Sequence, residues 1–198
     1  MSRYINFLDL GDQPLANNYL KKNQLDKKEI KYKLKVGFDL DNKLVSINKP
    51  LSSRMMFNKD YPYRSSMSKT MINSFKNLAK IIKKKFKPKK ILEIGSNDGC
   101  FIKNFSKKKT IGIEPCLNVE KITKSKGFDT FSEYWNIKTA KKILKKRGKV
   151  DLIYSANTIS HIKNLDDVFK SINIVLQNNG VLILEDPSLL ECLKRNTY

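Results

Sequence analysis

The sequence predicts an α/β protein in which a Rossmann-like parallel sheet follows a small N-terminal segment that contains β-strands. Two observations support this prediction. From residue 89 onward, short apolar runs alternate with stretches of helical periodicity, and this alternation is typical of right-handed βαβ units. The first 50 residues instead contain short stretches in which apolar and polar side chains alternate, the pattern of half-buried strands.

The N-terminal part of the chain changes character near residue 50. Residues 30–38 alternate strictly, and residues 43–48 are a candidate hairpin partner across a turn-rich tetrad. The periodicity then becomes helical, with Ser68 as a candidate N-cap. We therefore expect three regions: a β-containing segment over 1–50, a helical connecting segment over 51–88 that contributes to the active site, and the Rossmann-like domain over 89–198.

Within the Rossmann-like domain, apolar runs and helical patterns follow one another in order. Strands are predicted at 90–95, 109–114, 127–131, 150–155 and 180–185, and helices at about 98–106, 117–126, 136–147 and 165–177.

The composition excludes several classes of protein. No apolar run approaches the roughly 20 residues that span a bilayer, and the N-terminus lacks the apolar stretch of a signal peptide, so we expect a cytoplasmic protein without a membrane partner. The three cysteines form no Cys-x-x-Cys pair, so neither a disulfide framework nor a metal site is predicted. We also expect a monomer.

The charge is strongly positive, with 40 Lys and Arg against 19 Asp and Glu. Only five of these cations are Arg, the residue suited to bidentate recognition of bases and phosphates. The lysines are scattered along the sequence, so we interpret them as compositional bias and expect no specific nucleic-acid partner.

A glycine turn follows the first strand of the Rossmann-like domain. Residues 95–99 read Gly-Ser-Asn-Asp-Gly, and the expected helix after them would offer free N–H groups to a ligand. Glu114 ends the next predicted strand, 19 positions after Gly95. An acid at this distance binds the two ribose hydroxyls in nucleotide-type sites. A competing interpretation is that Glu114 only caps the helix that follows.

The spelling of the turn favours one cofactor. A dinucleotide site would read Gly-x-Gly-x-x-Gly, whereas this turn has Glu93 two residues before the first glycine and lacks the central glycine. That spelling resembles motif I of S-adenosylmethionine enzymes, where Glu93 and Asp98 would face the cationic methionine end. After the third strand, residues 132–135 offer Glu133 and aromatic side chains for the adenine. Exposure on an ordinary surface loop is the competing interpretation.

Several segments, in order, resemble the sugar C-methyltransferases of deoxysugar biosynthesis. They are residues 8–17, 61–68, 93–99, 112–115, 118–119, 156–162 and 180–185. The resemblance implies S-adenosyl-L-methionine as cofactor. Together with the residue patterns above, it gives the following candidate cofactor-binding residues: Glu93, Gly95, Ser96, Asn97, Asp98, Gly99, Glu114, Pro115, Glu133 and Asn157.

The resemblance also implies a reaction. Members of that family bind a nucleotide-linked keto-deoxysugar, abstract a proton next to the ketone and methylate the resulting carbanion or enolate. A base must then lie within hydrogen-bond reach of the acidic carbon. His161, the only histidine, follows a strand where ligands bind in open α/β sheets, and Tyr63 lies in the connecting segment. These two are the candidate catalytic residues; a structural His161 and a Tyr63 that only packs are the alternatives.

Three departures from the family qualify these expectations. Family members open with a zinc module of two cysteine pairs, but here Asp39 and Asn42 stand where the second pair would fall, so no metal site is expected. The chain is shorter than family members and ends before the family's Tyr-x-Glu-His segment, so the resemblance implies an incomplete seven-stranded sheet and an incomplete catalytic half.

A nucleic-acid methyltransferase and a non-catalytic cofactor-binding module are the alternative functions. The first would place Asp/Asn-Pro-Pro-Tyr/Phe where residues 156–159 read Ala-Asn-Thr-Ile.

Overall fold

A computed structural model describes residues 3–195 of the chain. The chain divides into two compact units, one ending at Phe57 and the other beginning at Asn58. No helix among the described residues is long and apolar enough to cross a membrane.

The first unit is a three-stranded antiparallel sheet. Its strands β1 (Tyr4–Pro14), β2 (Lys31–Asp39) and β3 (Leu44–Ile47) lie in the order β1-β2-β3, and a short helix α1 (Ser53–Met56) follows. The predicted hairpin between β2 and β3 is confirmed. Strand β1 was not predicted, because two register shifts in its pairing with β2 interrupt the alternation of apolar and polar residues.

The second unit contains a five-stranded parallel sheet, which confirms the predicted α/β class. The strands are β4 (Ile91–Ile94), β5 (Thr110–Ile113), β6 (Asp129–Phe131), β7 (Val150–Ala156) and β8 (Leu176–Glu185). The strand order is β6-β5-β4-β7-β8, with β4 in the centre. The helices are α2 (Lys69–Lys85), α3 (Leu117–Ser125), α4 (Ile137–Arg147), α5 (Leu165–Val175) and α6 (Leu189–Arg195).

Two apolar clusters cover the two faces of this sheet. One contains Leu92, Ile153 and Val168, and the other contains Phe75, Ile91 and Tyr154. Because both faces are covered, the central strands are apolar without alternation. Ser68 caps α2 as predicted, since its hydroxyl accepts a hydrogen bond from the Met71 N–H at 3.2 Å.

The prediction of a helix over 98–106 is wrong. The chain makes turns there, followed by a short 3₁₀ helix over Ile102–Asn104. The Asn104 side-chain amide donates to the carbonyls of Cys100 and Phe101 at 3.2 and 2.9 Å. These bonds occupy carbonyl groups that a continuing α-helix would use. The loop after β4 therefore lacks the regular helix N-terminus that the sequence suggested.

Candidate cofactor site at the carboxyl edge of the sheet

The glycine turn is a left-handed stretch of backbone directly after β4. Gly95, Asn97 and Gly99 have φ values of +73°, +48° and +77°. A Cβ atom on Gly95 would lie 2.2 Å from the Thr158 hydroxyl oxygen, in the loop after β7. Glycine is thus required at position 95 both by its φ and by the close approach of the neighbouring loop.

Glu114 lies at the end of β5 and connects this turn to the next loop. Its Oε2 accepts the Asn97 N–H at 2.8 Å, and its Oε1 accepts the Cys116 N–H at 2.9 Å. The side chain is buried, and burial raises its pKa against the opposing effect of these N–H donors. The Cys116 thiol is a third donor to this carboxylate, and a carboxylate has about four lone-pair sites. Contact with ribose hydroxyls stays a prediction.

Three further side chains of the turn region are buried with polar atoms that lack a protein partner. These atoms are Oε2 of Glu93, Oγ of Ser96 and Oδ1 of Asp98. Burial raises the pKa of Glu93 well above its usual range, the Ile102 N–H opposes that shift, and the nearby Glu114 and Asp98 carboxylates raise the pKa further. Unpartnered buried oxygens of this kind are costly, and a bound cation or donor would relieve the cost.

A segment over residues 61–67, which we call the strap, lies against the glycine turn. The Ser65 N–H donates to the Asn97 side-chain oxygen at 2.8 Å, and the Asn97 amide donates to the Tyr63 carbonyl at 3.2 Å. The Ser66 N–H and hydroxyl both donate to Oδ2 of Asp98. The sequence indicated this segment through its resemblance and through Tyr63. The contacts of Ser65 and Ser66 were not predicted, because they join residues about 32 positions apart and no spacing rule relates them.

The two candidate catalytic residues lie on different elements of the second unit. Tyr63 is exposed on the strap. His161 is also exposed and ends a short 3₁₀ helix, Ile159–His161, that follows the carboxyl end of β7. Tyr61, also on the strap, was not predicted. Its burial, together with the neighbouring Cys116, Glu114 and Tyr63, raises its pKa to about 12.

The remaining predicted residues surround the turn less closely. Asn157 is exposed with a φ of +48°, and its N–H donates to the Glu185 carbonyl at 2.7 Å. Pro115 is half-buried between Glu114 and Cys116. Glu133 forms an ion pair with Lys142, and its other oxygen accepts the Thr139 hydroxyl at 3.0 Å. These contacts hold the Glu133 carboxylate at the start of α4.

The expectation that the aromatic residues after β6 lie open to an adenine is wrong for Trp135. This side chain is 5% exposed and belongs to the apolar core. Its indole N–H donates to the Val168 carbonyl at 3.3 Å. The indole therefore packs β6 and α4 against α5.

The arrangement suits a ligand with a cationic group. Three buried carboxylates, Glu93, Asp98 and Glu114, lie around one turn at the carboxyl edge of the central strands, and two of them keep an oxygen without a protein partner. An ammonium or sulfonium group supplies the charge that such a cluster lacks. The buried polar atoms thus fit the cationic methionine end of S-adenosyl-L-methionine.

Comparison with known proteins identifies two family models along the chain. The model of the methyltransferase domain matches residues 63–197, and that of a zinc binding domain matches residues 2–57. Residues 2–57 contain neither Cys nor His, and the described residues contain no group of Cys, His, Asp and Glu that could hold a metal ion. Zinc of the usual thiolate and imidazole type therefore does not fit this unit.

The chain is also similar to individual proteins. C-methyltransferase NovU of Streptomyces niveus is 24% identical over 110 residues, which span 54% of this chain and 26% of NovU. The crystal structure of Streptomyces venezuelae DesVI aligns with a TM-score of 0.49 at 14% identity, over 61% of this chain and 52% of that one. The plantazolicin methyltransferase BpumL, solved with S-adenosylhomocysteine, aligns with a TM-score of 0.49 at 15% identity, over 62% of this chain and 48% of that one. The chain thus spans about half of each structure and about a quarter of NovU.

Proposed function

The chain belongs to the methyltransferase domain family, and from that premise we propose that it is an S-adenosyl-L-methionine-dependent C-methyltransferase, or the cofactor-binding part of one, acting on a nucleotide-linked keto-deoxysugar. The observation that supports the cofactor most strongly is the buried acidic cluster at the glycine turn, with unpartnered oxygens on Glu93 and Asp98.

The ammonium, sulfonium and ribose groups of the cofactor each have a candidate partner. Glu93 and Asp98 would hold the ammonium and face the sulfonium, which supplies the methyl group. Glu114 would accept hydrogen bonds from the ribose hydroxyls through lone pairs that Asn97 and Cys116 leave free. Gly95 and Gly99 give the turn its left-handed backbone, and Ser96 offers a buried hydroxyl without a protein partner. Pro115, Glu133 and Asn157 come from neighbouring loops of the same sheet edge.

The sugar substrate is supported by the ordered resemblance along the chain, and methyl transfer to carbon is supported by the similarity to a C-methyltransferase. In this proposal His161 or Tyr63 removes the proton next to the ketone. His161 is the preferred candidate, because the imidazole of histidine is the side chain that most often serves as a general base. For this reaction, the sugar's acidic carbon must lie next to both the base and the methyl group of the cofactor.

The cofactor part of the proposal is tested by isothermal titration of S-adenosylmethionine into the wild type and Glu93→Gln. The variant keeps the shape of the side chain and removes its charge, so we expect weaker binding. Asp129→Asn is the matched control, because Asp129 pairs with Arg147 away from the turn. Equal affinity in all three proteins would contradict the proposed role of the acidic cluster.

The sugar part is tested separately by proton exchange. The protein is incubated in D₂O with S-adenosylhomocysteine and a nucleotide-linked keto-deoxysugar, and NMR follows the signal of the carbon-bound proton next to the ketone. If His161 is the base, exchange should be about 10²–10⁴-fold slower in His161→Asn than in the wild type. Cofactor binding without any exchange would retain the cofactor assignment and reject the sugar substrate.

A further inference from the structure

The loops at the two edges of the sheet in the second unit differ in the number of basic residues that they contain. The loops after the five strands (residues 95–101, 114–116, 132–136, 157–164 and 186–188) contain one Lys or Arg, Lys163. The segments that precede β4, β5 and β7 (residues 83–90, 106–109 and 145–149) contain thirteen and no Asp or Glu. In these loops the basic residues are therefore concentrated at the amino edge, although other lysines of the unit lie on its helices.

The amino edge of the sheet also contains a recess. A cavity of about 300 Å³ is lined by Lys83, Lys87, Pro88, Phe105, Ser106 and Lys109. Its three lysines come from the last turn of α2, the loop after it and the residue before β5. Lys83 Nζ lies 5.2 Å from the centre of the Phe105 ring, which packs against Phe101 at 5.3 Å between ring centres. The recess thus has one apolar wall and several cationic ones.

Two acidic residues at this edge bind partners that do not line the recess. Asp151 Oδ2 accepts the backbone N–H groups of Lys89 and Lys90, each at 2.7 Å. Asp129 forms an ion pair with Arg147 at 2.5 Å. Across residues 3–195, no ion pair involves Lys83, Lys87 or Lys109. The like charges around the recess repel one another, and an anion placed between them would remove that repulsion.

We propose that this recess binds a compact polyanion, a small molecule with two or more linked phosphate groups. Lysine ammonium groups are strongly hydrated point charges that bind phosphate without a fixed bidentate geometry. Ser106 adds a hydroxyl donor. The volume is at the lower end of the range for small-molecule sites, so it holds more than one phosphate group but not a large cofactor.

The shape of this edge favours a small molecule over a membrane or a nucleic-acid strand. Peripheral membrane binding normally inserts exposed large apolar side chains. None lies within segments 83–90, 106–109 and 145–149, and Ile81 and Leu144 are the two that lie next to them among the described residues. The unpaired ammonium groups converge on a recess instead of forming a row along which a strand could lie. Binding here would be independent of the cofactor site, which lies at the opposite edge of the sheet.

The test is an isothermal titration with inorganic tripolyphosphate at low and at physiological ionic strength. The wild type should bind one equivalent saturably, with affinity that falls as salt rises. A triple variant, K83Q/K87Q/K109Q, should bind at least about tenfold more weakly, because it removes three charge-assisted contacts. The control K76Q/K121Q/K170Q makes the same change in net charge at exposed lysines of α2, α3 and α5 and should bind as the wild type does.

Three results would overturn the proposal. They are the absence of saturable binding by the wild type, an equal loss of affinity in the control variant, and tighter binding of a short oligo-dT strand or of phosphatidylglycerol vesicles than of tripolyphosphate. Thermal melting of each protein shows whether it is folded. If the triple variant fails to fold, the single charge reversal Lys109→Glu replaces it, with Lys121→Glu as its control.

Discussion

Glu114 gives the sharpest test of the proposed cofactor site, because its carboxylate would have two tasks. It accepts the N–H groups of Asn97 and Cys116 at 2.8 and 2.9 Å, and we propose that it also holds the ribose hydroxyls. Glu114→Ala removes both acceptors from a buried position. An unsatisfied buried donor costs about 1–3 kcal/mol, so we expect the free energy of unfolding to fall by about 2 kcal/mol or more.

The same substitution should weaken binding of S-adenosylhomocysteine. A hydrogen bond to a charged group is worth about 1.5–3 kcal/mol, which corresponds to an increase in Kd of about 10- to 150-fold. Loss of the turn alone would also weaken binding, so the affinity of this variant cannot separate the two tasks. Glu114→Gln is the better variant, because it keeps one oxygen acceptor and the shape of the side chain.

A double-mutant cycle between protein and ligand separates the two tasks. Calorimetry compares S-adenosylhomocysteine with an analogue that lacks both ribose hydroxyls, in the wild type and in Glu114→Gln. If Glu114 binds the ribose, removing the hydroxyls weakens binding to the wild type much more than to the variant. An equal loss in both proteins would refute the ribose role and leave Glu114 as a purely structural link between the turn and α3.

Three further predictions concern pH, metal and DNA. The pKa of Glu93 is raised above its ordinary value of 4.5 in the folded chain, so Glu93 ionises at a lower pH in the unfolded chain than in the folded one. The free energy of unfolding should therefore fall as pH rises from 4.5 through the folded pKa. Urea titrations of Glu93→Gln should show a weaker pH dependence. Binding of cationic S-adenosylmethionine should release a proton from Glu93, which calorimetry in buffers of different ionisation enthalpy detects; buffer-independent heats would contradict this. Purified protein should contain no stoichiometric zinc and melt at the same temperature with a chelator, since residues 2–57 lack Cys and His; one zinc per chain by elemental analysis would overturn that. Duplex DNA should bind weakly and lose affinity steeply with salt in anisotropy titrations, whereas salt-resistant or sequence-selective binding would restore the nucleic-acid alternative.

The parallel sheet and the position of Glu114 beside the glycine turn could be predicted because they depend on local patterns. Buried central strands are apolar on both faces, so β4 and β7 are visible as continuous runs. The carboxyl ends of neighbouring parallel strands meet at one edge, and this places Glu114 beside Asn97 although 17 positions separate them. The rule for parallel strands was therefore enough to predict this long-range contact.

The parts that could not be predicted depend on long-range or irregular contacts. The strap meets Asp98 through Ser66, and nothing in the spelling of either segment specifies that pairing. Strand β1 contains register shifts that conceal its periodicity. The helix expected after Gly99 is interrupted by the Asn104 side chain, which binds nearby carbonyls. Trp135 lies in the loop after a strand, where exposed side chains are common, but it packs into the apolar core and is buried.

The central claim is that the turn over residues 95–99, together with Glu114, is built for S-adenosyl-L-methionine and not for a dinucleotide. The most direct test is an equilibrium titration of the wild-type chain with S-adenosylhomocysteine and, separately, with NAD. We predict saturable binding of one S-adenosylhomocysteine per chain and no saturable binding of NAD, because the turn lacks the glycine pattern that accommodates a pyrophosphate. Binding of NAD, or a folded chain that fails to bind S-adenosylhomocysteine, would contradict the claim.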